Sequence, residues 1–324
     1  MKNNSINGNN ANNMGGFIMA TGTMDTLEVF ADTIRAALAE HYGEGYRVEV
    51  MKVTKTNDVK LTGISIKETD CNVAPTIYLN QAFEEYLNGC PVSDILKEII
   101  AVYDKNRVPE GFNVERIMDF EQVRDKLCMK LINSDRNKVF LSEIPSVPFH
   151  DLAVVFYILV NKDGGNTATV TVRNEMAAAW GVDADALYDI ALKNSPVLMK
   201  GRVSSMMSVL SEFMDLGNPD MMYDMDISGN EAMYVASNSD RVNGSAVILY
   251  PGLLKDFADK IGTPFFILPS SIHECLFVPA DERVSADVLR QMVHEVNEAE
   301  VAPDEVLSDS VYYYDPETDI FEIA

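Results

Sequence analysis

Leu152-Ala-Val-Val-Phe-Tyr-Ile-Leu-Val160 is the longest apolar run in the chain, and it leads through Asp163-Gly-Gly165 into Thr167-Ala-Thr-Val-Thr-Val172. A bilayer-spanning helix needs about 20 apolar residues, so this run is far too short and instead has the length of a buried strand. The glycine turn and the strict Thr/Val alternation after it predict a hairpin with a second, half-buried strand. Pro145-Ser-Val-Pro148 opens this unit.

The flanks read as the same mixture of helices and short strands. On the N-terminal side, Leu27, Phe30, Ile34, Ala37 and Leu38 recur at helical spacing until Gly43. Tyr46, Val48 and Val50 alternate as a strand, and so do Val59, Leu61, Ile64 and Ile66 after the turn Thr56-Asn57-Asp58. The short strand Thr76-Ile-Tyr-Leu79 leads to Asn80, a residue suited to cap a helix, and Ser93 suits the start of another. A further helix is expected from Asp119 through Val123, Leu127 and Leu131. On the C-terminal side, 233–236 and 246–250 read as strands joined at Asn243-Gly244, followed by a helix from Leu253 to Ile261. Strands at 265–268 and 275–278, a helix at 284–296 and a hairpin pairing 311–314 with 320–321 complete the chain. The expectation is an α+β fold of small, mostly antiparallel sheets with packed helices, in two to three subdomains. Their bounds are 25–144, 145–232 and 233–324, preceded by a disordered leader or extension at 1–24.

The chain has 324 residues, 47% hydrophobic, and a formal net charge of -24. That apolar content suffices for folding, so the charge does not signal disorder. The acidity peaks after Arg290, where Glu295, Glu298, Glu300, Asp304, Glu305, Asp309, Asp315, Glu317, Asp319 and Glu322 occur with no Lys or Arg. Such a surface repels phosphate backbones and anionic lipid and attracts basic partners. No basic stripe interleaved with aromatics accompanies it, so direct nucleic-acid binding and membrane association are not expected. Cys71, Cys90, Cys128 and Cys275 form no CxxC and read as reduced structural thiols of a cytoplasmic protein.

Pro269-Ser-Ser-Ile-His-Glu274 concentrates chemistry in one loop, with Ser271, His273 and Glu274 as candidates for hydroxyl, base and orienting acid. Sequence neighbours seldom converge in space, and no GxSxG elbow is present, so polar capping of a strand junction is the plainer reading. His294 and Glu298 stand four apart on the predicted last helix, a spacing that suits a surface pair. No HExxH or Cys-His zinc spacing occurs, and neither metal nor cofactor is expected. Asp224-Met-Asp-Ile-Ser-Gly229 resembles the start of a calcium loop, but Val235 occupies the position of the bidentate Glu. Of the three consecutive tyrosines, Tyr312 and Tyr314 share one side of their strand and Tyr313 takes the other.

Pro75-Thr-Ile-Tyr-Leu-Asn80, Leu152-Ala-Val-Val-Phe-Tyr157, Ile248-Leu-Tyr-Pro-Gly252, Phe266-Ile-Leu-Pro-Ser-Ser-Ile-His-Glu274 and Val301-Ala-Pro-Asp-Glu-Val-Leu-Ser-Asp309 occur together here. As a set they resemble an uncharacterised domain-of-unknown-function family of Gram-positive gut anaerobes, whose members often lie on mobile elements. Trp180-Gly-Val-Asp-Ala-Asp-Ala-Leu-Tyr188 with Ala191 and Asn194 is similar, more weakly, to the YtpQ-like family of unknown function. Neither resemblance brings a catalytic residue. The expected function is a non-enzymatic acidic interaction protein of the bacterial cytoplasm, a mobile-element accessory or anti-defence factor. It would dock the basic surface of a nucleic-acid-handling partner through Glu295, Glu298, Glu300, Asp304, Glu305, Asp309, Tyr312 and Tyr314. The alternative is a hydrolase built on Ser271, His273 and Glu274.

Overall fold

The computed structural model describes residues 24–69, 74–105, 117–163, 166–214, 233–281 and 284–324. The leader at 1–23, Cys71 and the calcium-like loop at 224–229 lie outside the described residues.

The chain enters helix α1 (Leu27–Tyr42), whose first turn is capped by the Thr26 hydroxyl accepting from Val29 N. Phe30, Ile34 and Leu38 recur every four residues and bury the same stripe. That stripe packs on a three-stranded antiparallel meander of β1 (Tyr46–Thr54), β2 (Lys60–Glu68) and β3 (Thr76–Tyr78). Helices α2 (Asn80–Leu87) and α3 (Val92–Lys105) close the same core with Ile95 and Ile99. Asn80 does not cap its helix; its Oδ1 accepts from Thr62 N and ties the helix start to β2.

The helix expected from Asp119 to Leu131 stops early. Only α4 (Phe120–Val123) and a 3-10 turn (Arg124–Lys126) are helical, and β4 (Leu127–Asn133) follows as a strand. Val123, Leu127 and Leu131 fit helical spacing, but Cys128, Met129 and Ile132 are buried too. Burial on both faces suits an interior strand and defeats an amphipathic helix. After α5 (Lys138–Ser142) come β5 (Ser146–Phe149), the twelve-residue β6 (Leu152–Asp163) and β7 (Asn166–Thr171). Strand β6 is the axis of this sheet: β4 lies along one edge, while β5 and β7 share the other, end to end. Helices α6 (Asn174–Trp180) and α7 (Ala184–Leu198) follow, and Ser195 of α7 accepts from Met129 N on the outer edge of β4.

The last sheet is six-stranded and antiparallel. It uses β8 (Gly201–Ser205), then, after α8 (Met206–Met214), β9 (Tyr234–Asn238). Past α9 (Leu253–Ile261) it adds β10 (Phe265–Ser271), β11 (Glu274–Pro279) and, after α10 (Ala286–Ala299), β12 (Tyr312–Asp315) and β13 (Ile320–Ile323). Spatial order is β13-β12-β10-β11-β9-β8. The apolar run expected as a strand at 246–250 is instead a 3-10 helix, Gly244–Leu249, entered through Asn243 at φ 53°. Its Ala246, Val247 and Ile248 pack in the core, so burial rather than alternation explains their apolarity.

Leu131, Phe156 and Ile158 of the middle sheet share one core with Phe265, Phe277 and Tyr312 of the last. Helix α10 seals the opposite face of the last sheet, with Leu289 and Val293 against Leu268 and Val311. The fold is therefore α+β, as the sequence implied. The expected boundaries after 144 and 232 do not separate sheets, because β4 pairs with β6 and β8 pairs with β9. No described helix is long and apolar enough to cross a membrane.

Candidate functional site

Residues 303–310 run as a strap between α10 and β12, and Val306, Leu307 and Ser308 on it are buried. Each part of the fold reaches it through a side chain. Asn57, between β1 and β2, donates from Nδ2 to the carbonyls of Pro303 (2.8 Å) and Val306 (2.7 Å). Asn133, at the end of β4, donates to Leu307 O at 3.0 Å. Asn297 of α10 donates to Ser308 O (2.9 Å) and Asp309 Oδ1 (2.8 Å). Asp151, in the two-residue turn between β5 and β6, accepts from Ser308 Oγ, Ser310 Oγ (3.1 Å) and Tyr312 OH (2.8 Å). Burial, and then the Asp151 carboxylate, hold the Tyr312 phenol well above the usual tyrosine range.

Three of the acids read as partner-binding are consumed by this strap. Asp304 pairs with Lys55 Nζ at 3.4 Å, and that ammonium also lies 4.2 Å from the Tyr78 ring centroid. Glu305 lies 3.4 Å from His273 Nε2. Asp309 pairs with Arg136 at 2.6 Å. Burial raises the Asp309 carboxyl, but the Asn297 bond and the Arg136 charge outweigh it and hold the group below its ordinary value. Tyr312 and Tyr314 are also removed from the surface. Both are buried on the core side of β12, with Tyr314 OH donating to Asp319 Oδ1 at 2.7 Å. Tyr313 faces the other side and packs on Phe266.

Six of the seven remaining acids point outward, Asp315 being half-buried in its turn. Glu295, Glu298 and Glu300 are exposed on or just past α10, and Glu317, Asp319 and Glu322 are exposed on the β12–β13 hairpin. Glu298 meets His294 at 3.5 Å, the expected pairing one turn apart.

Ser271, His273 and Glu274 sit at the tip of the β10–β11 hairpin, where Ser271 pairs with Glu274. The tip is plugged into the 3-10 helix. Ser245 donates from N (3.3 Å) and Oγ (2.8 Å) to Ile272 O, and Ser237 Oγ donates to His273 O at 2.7 Å. Ser271 Oγ accepts from His273 N at 3.0 Å. The imidazole Nδ1 accepts from Asn243 N at 3.2 Å, which leaves the ring proton on Nε2, toward Glu305. The three residues thus share a tip, but their side chains form no hydroxyl–imidazole–carboxylate relay. Gly244 permits the plug: a Cβ there would lie 2.1 Å from Ser237 Oγ and 2.4 Å from His273 O.

Lys130, absent from the sequence-level candidates, is the most perturbed cation described. It stands mid-strand in β4 between fully buried neighbours, half-buried itself, and makes no ion pair with any described residue. Burial, and secondarily the Lys55 charge, pull its ammonium down to about 8. A lysine inside the apolar run Leu127-Cys-Met-Lys-Leu-Ile132 was the available signal. Cys128 beside it is an inert thiol, pushed up to about 11 by burial. Among the described residues no group of three or more His, Cys, Asp or Glu is arranged to hold a metal ion.

No curated protein and no solved structure matches the chain. Residues 27–316 match a family of unknown function, DUF5688, and the chain belongs to that family.

Proposed function

We propose that this member of DUF5688 is a non-enzymatic interaction protein that docks a basic surface through the exposed carboxylates of its C-terminal part. What supports the reading is the sorting of the acids. Asp304, Glu305 and Asp309 serve the strap, whereas Glu295, Glu298, Glu300, Glu317, Asp319 and Glu322 face solvent with no Lys or Arg between them in sequence. Carboxylates on a rigid helix and hairpin keep fixed spacing and can imitate a phosphate track, which suits a nucleic-acid-handling or defence protein as partner. A cytoplasmic setting and a mobile-element context follow from the family resemblance and belong to the same proposal.

The competing hydrolase reading requires Ser271 Oγ to leave His273 N and meet an imidazole nitrogen. Retention of partners from the native host, at low and high salt, tests the docking reading. A basic partner held at low salt and released at high salt is expected. Retention of nothing at low salt sinks it. Replacing His273 with Ala separates the two classes, since a docking protein keeps its partner.

A further inference from the structure

The hairpin that carries Glu317, Asp319 and Glu322 also forms one end of the six-stranded sheet, and no described strand pairs with the outer side of β13. Ala324 N donates to Val311 O at 2.8 Å, and the pairs Tyr312–Ile323, Tyr313–Glu322, Tyr314–Phe321 and Asp315–Ile320 follow in step. Bonded and non-bonded pairs alternate in an antiparallel ladder. The inward bonds therefore fall at Ala324, Glu322 and Ile320, and the N–H and C=O groups of Phe321 and Ile323 point away from the sheet.

This edge is rigid and sticky. Phe321 is anchored on the rings of Tyr312 and Phe149, each 5.1 Å away between centroids. Ile320 and Ile323 stand 48% and 46% exposed. Natural edges are commonly blunted with lysine, proline or a bulge. Here the strand Ile320-Phe-Glu-Ile323 has none of these, only a short length and acids. At the turn end of the hairpin, an open cleft of about 610 Å³ is lined by Asp259, Asp315 and Glu317, with Lys255 as the one cation among its described lining residues. A second copy of a chain carrying a net charge of -24 would bring like charges together at this edge.

We infer that the outer edge of β13 accepts an extended, Lys/Arg-rich segment of a partner protein as a seventh strand of the sheet. The backbone groups of Phe321 and Ile323 supply the ladder. Ile323, on the same face as Phe321, takes the partner's apolar side chains, and Glu322 on the opposite face, with Asp319 and the turn-end cleft, selects cationic ones. The inference rests on the docking reading above and gives it an address and a mode.

The test uses the full chain and two fluorescent peptides, one alternating Lys with Val and one alternating Glu with Val. Binding is followed by anisotropy at low and high salt. The basic peptide is expected to bind at low salt and the acidic one not to. Ile323→Pro should weaken the basic peptide about tenfold or more, because it removes an outward N–H without touching the bonds to β12. Glu322→Lys, which leaves the backbone intact, should weaken it as well. A double change of Glu84 and Glu98 to Gln, exposed acids of α2 and α3, should not. Equal binding of both peptides, binding of neither, or indifference to both edge variants overturns the inference, as does sedimentation showing that the edge is filled by a second copy. Binding kept in both edge variants but lost on changing Glu295, Glu298 and Glu300 to Gln would leave the docking reading standing and remove the edge from it.

Discussion

Asn57 and Asn137 clasp each other across the junction between the N-terminal meander and the middle sheet. The N–H of Asn57 donates to Asn137 Oδ1 at 2.5 Å, and Asn137 Nδ2 returns a bond to Asn57 Oδ1 at 2.7 Å. Asn57 holds φ 62°, a left-handed conformation that asparagine tolerates better than most residues. Its own Nδ2 reaches two strap carbonyls, so one side chain joins three segments distant in sequence.

Removing that side chain should be expensive. Asn57→Ala removes the bonds to Pro303 O and the part-buried Val306 O and forces alanine into the left-handed region, for an expected loss of about 2–4 kcal/mol. Asn57→Gly loses the same bonds but keeps the backbone, so it should cost roughly 1 kcal/mol less. Urea unfolding of both variants measures the difference; equal losses would refute the backbone part of the account.

Gly244→Ala should fail for a different reason. Its methyl would run into Ser237 Oγ and the His273 carbonyl. Backbone cannot swing aside as a flexible side chain can, so a loss of about 3 kcal/mol or more is expected. Thermal melts should show it, with the change in environment centred on the 271–274 tip. A melting temperature within error of wild type would mean that the tip is not seated as described.

Lys130→Met should stabilise the protein at neutral pH. The folded-state ammonium titrates near 8 instead of its ordinary 10.5, so the unfolded chain binds more protons between those values. Native stability from this group therefore rises as pH climbs through that window, and the penalty is greatest below it. Methionine removes the penalty, for a gain of about 1–2 kcal/mol at pH 7 after allowing for partial exposure. The advantage over wild type should shrink from pH 8 toward pH 10. A constant difference across that range would show that the ammonium is not the cause.

Asp309→Asn removes a depressed carboxylate that pairs with Arg136. A group with a lowered folded pKa stabilises above its unfolded value and loses that contribution as pH falls through the folded one. The pair is about two-fifths exposed on each side, so the expected loss at pH 7 is only about 0.5–1 kcal/mol. Wild type and variant should converge in acid, below the ordinary carboxylate range. Divergence on acidification would mean that the ionised Asp309 destabilises the fold.

Several parts of this fold declare themselves in sequence because one face is wet. Phe30, Ile34 and Leu38 announce α1 because polar residues fill the gaps between them. Strand β4 and the 3-10 helix at 244–249 lack such a contrast, being apolar nearly throughout, and periodicity cannot tell a buried helix from a buried strand. The strap was illegible for another reason. Nothing local to 303–310 says that Asn57 and Asn133 will arrive from far along the chain to satisfy it. Its acids therefore read as surface charge. The tip at 271–274 was legible as a polar strand junction, while the direction of each side chain depended on the partner helix.

The strap also has a thermodynamic consequence. Both the meander and the middle sheet spend polar groups on the same short segment, and it continues directly into β12 of the last sheet. Pulling any one of them away strands carbonyls that the others still need buried. Denaturation should therefore be all-or-none, with one midpoint whether it is followed from Tyr86 in α2, Trp180 in α6 or Tyr313 in β12.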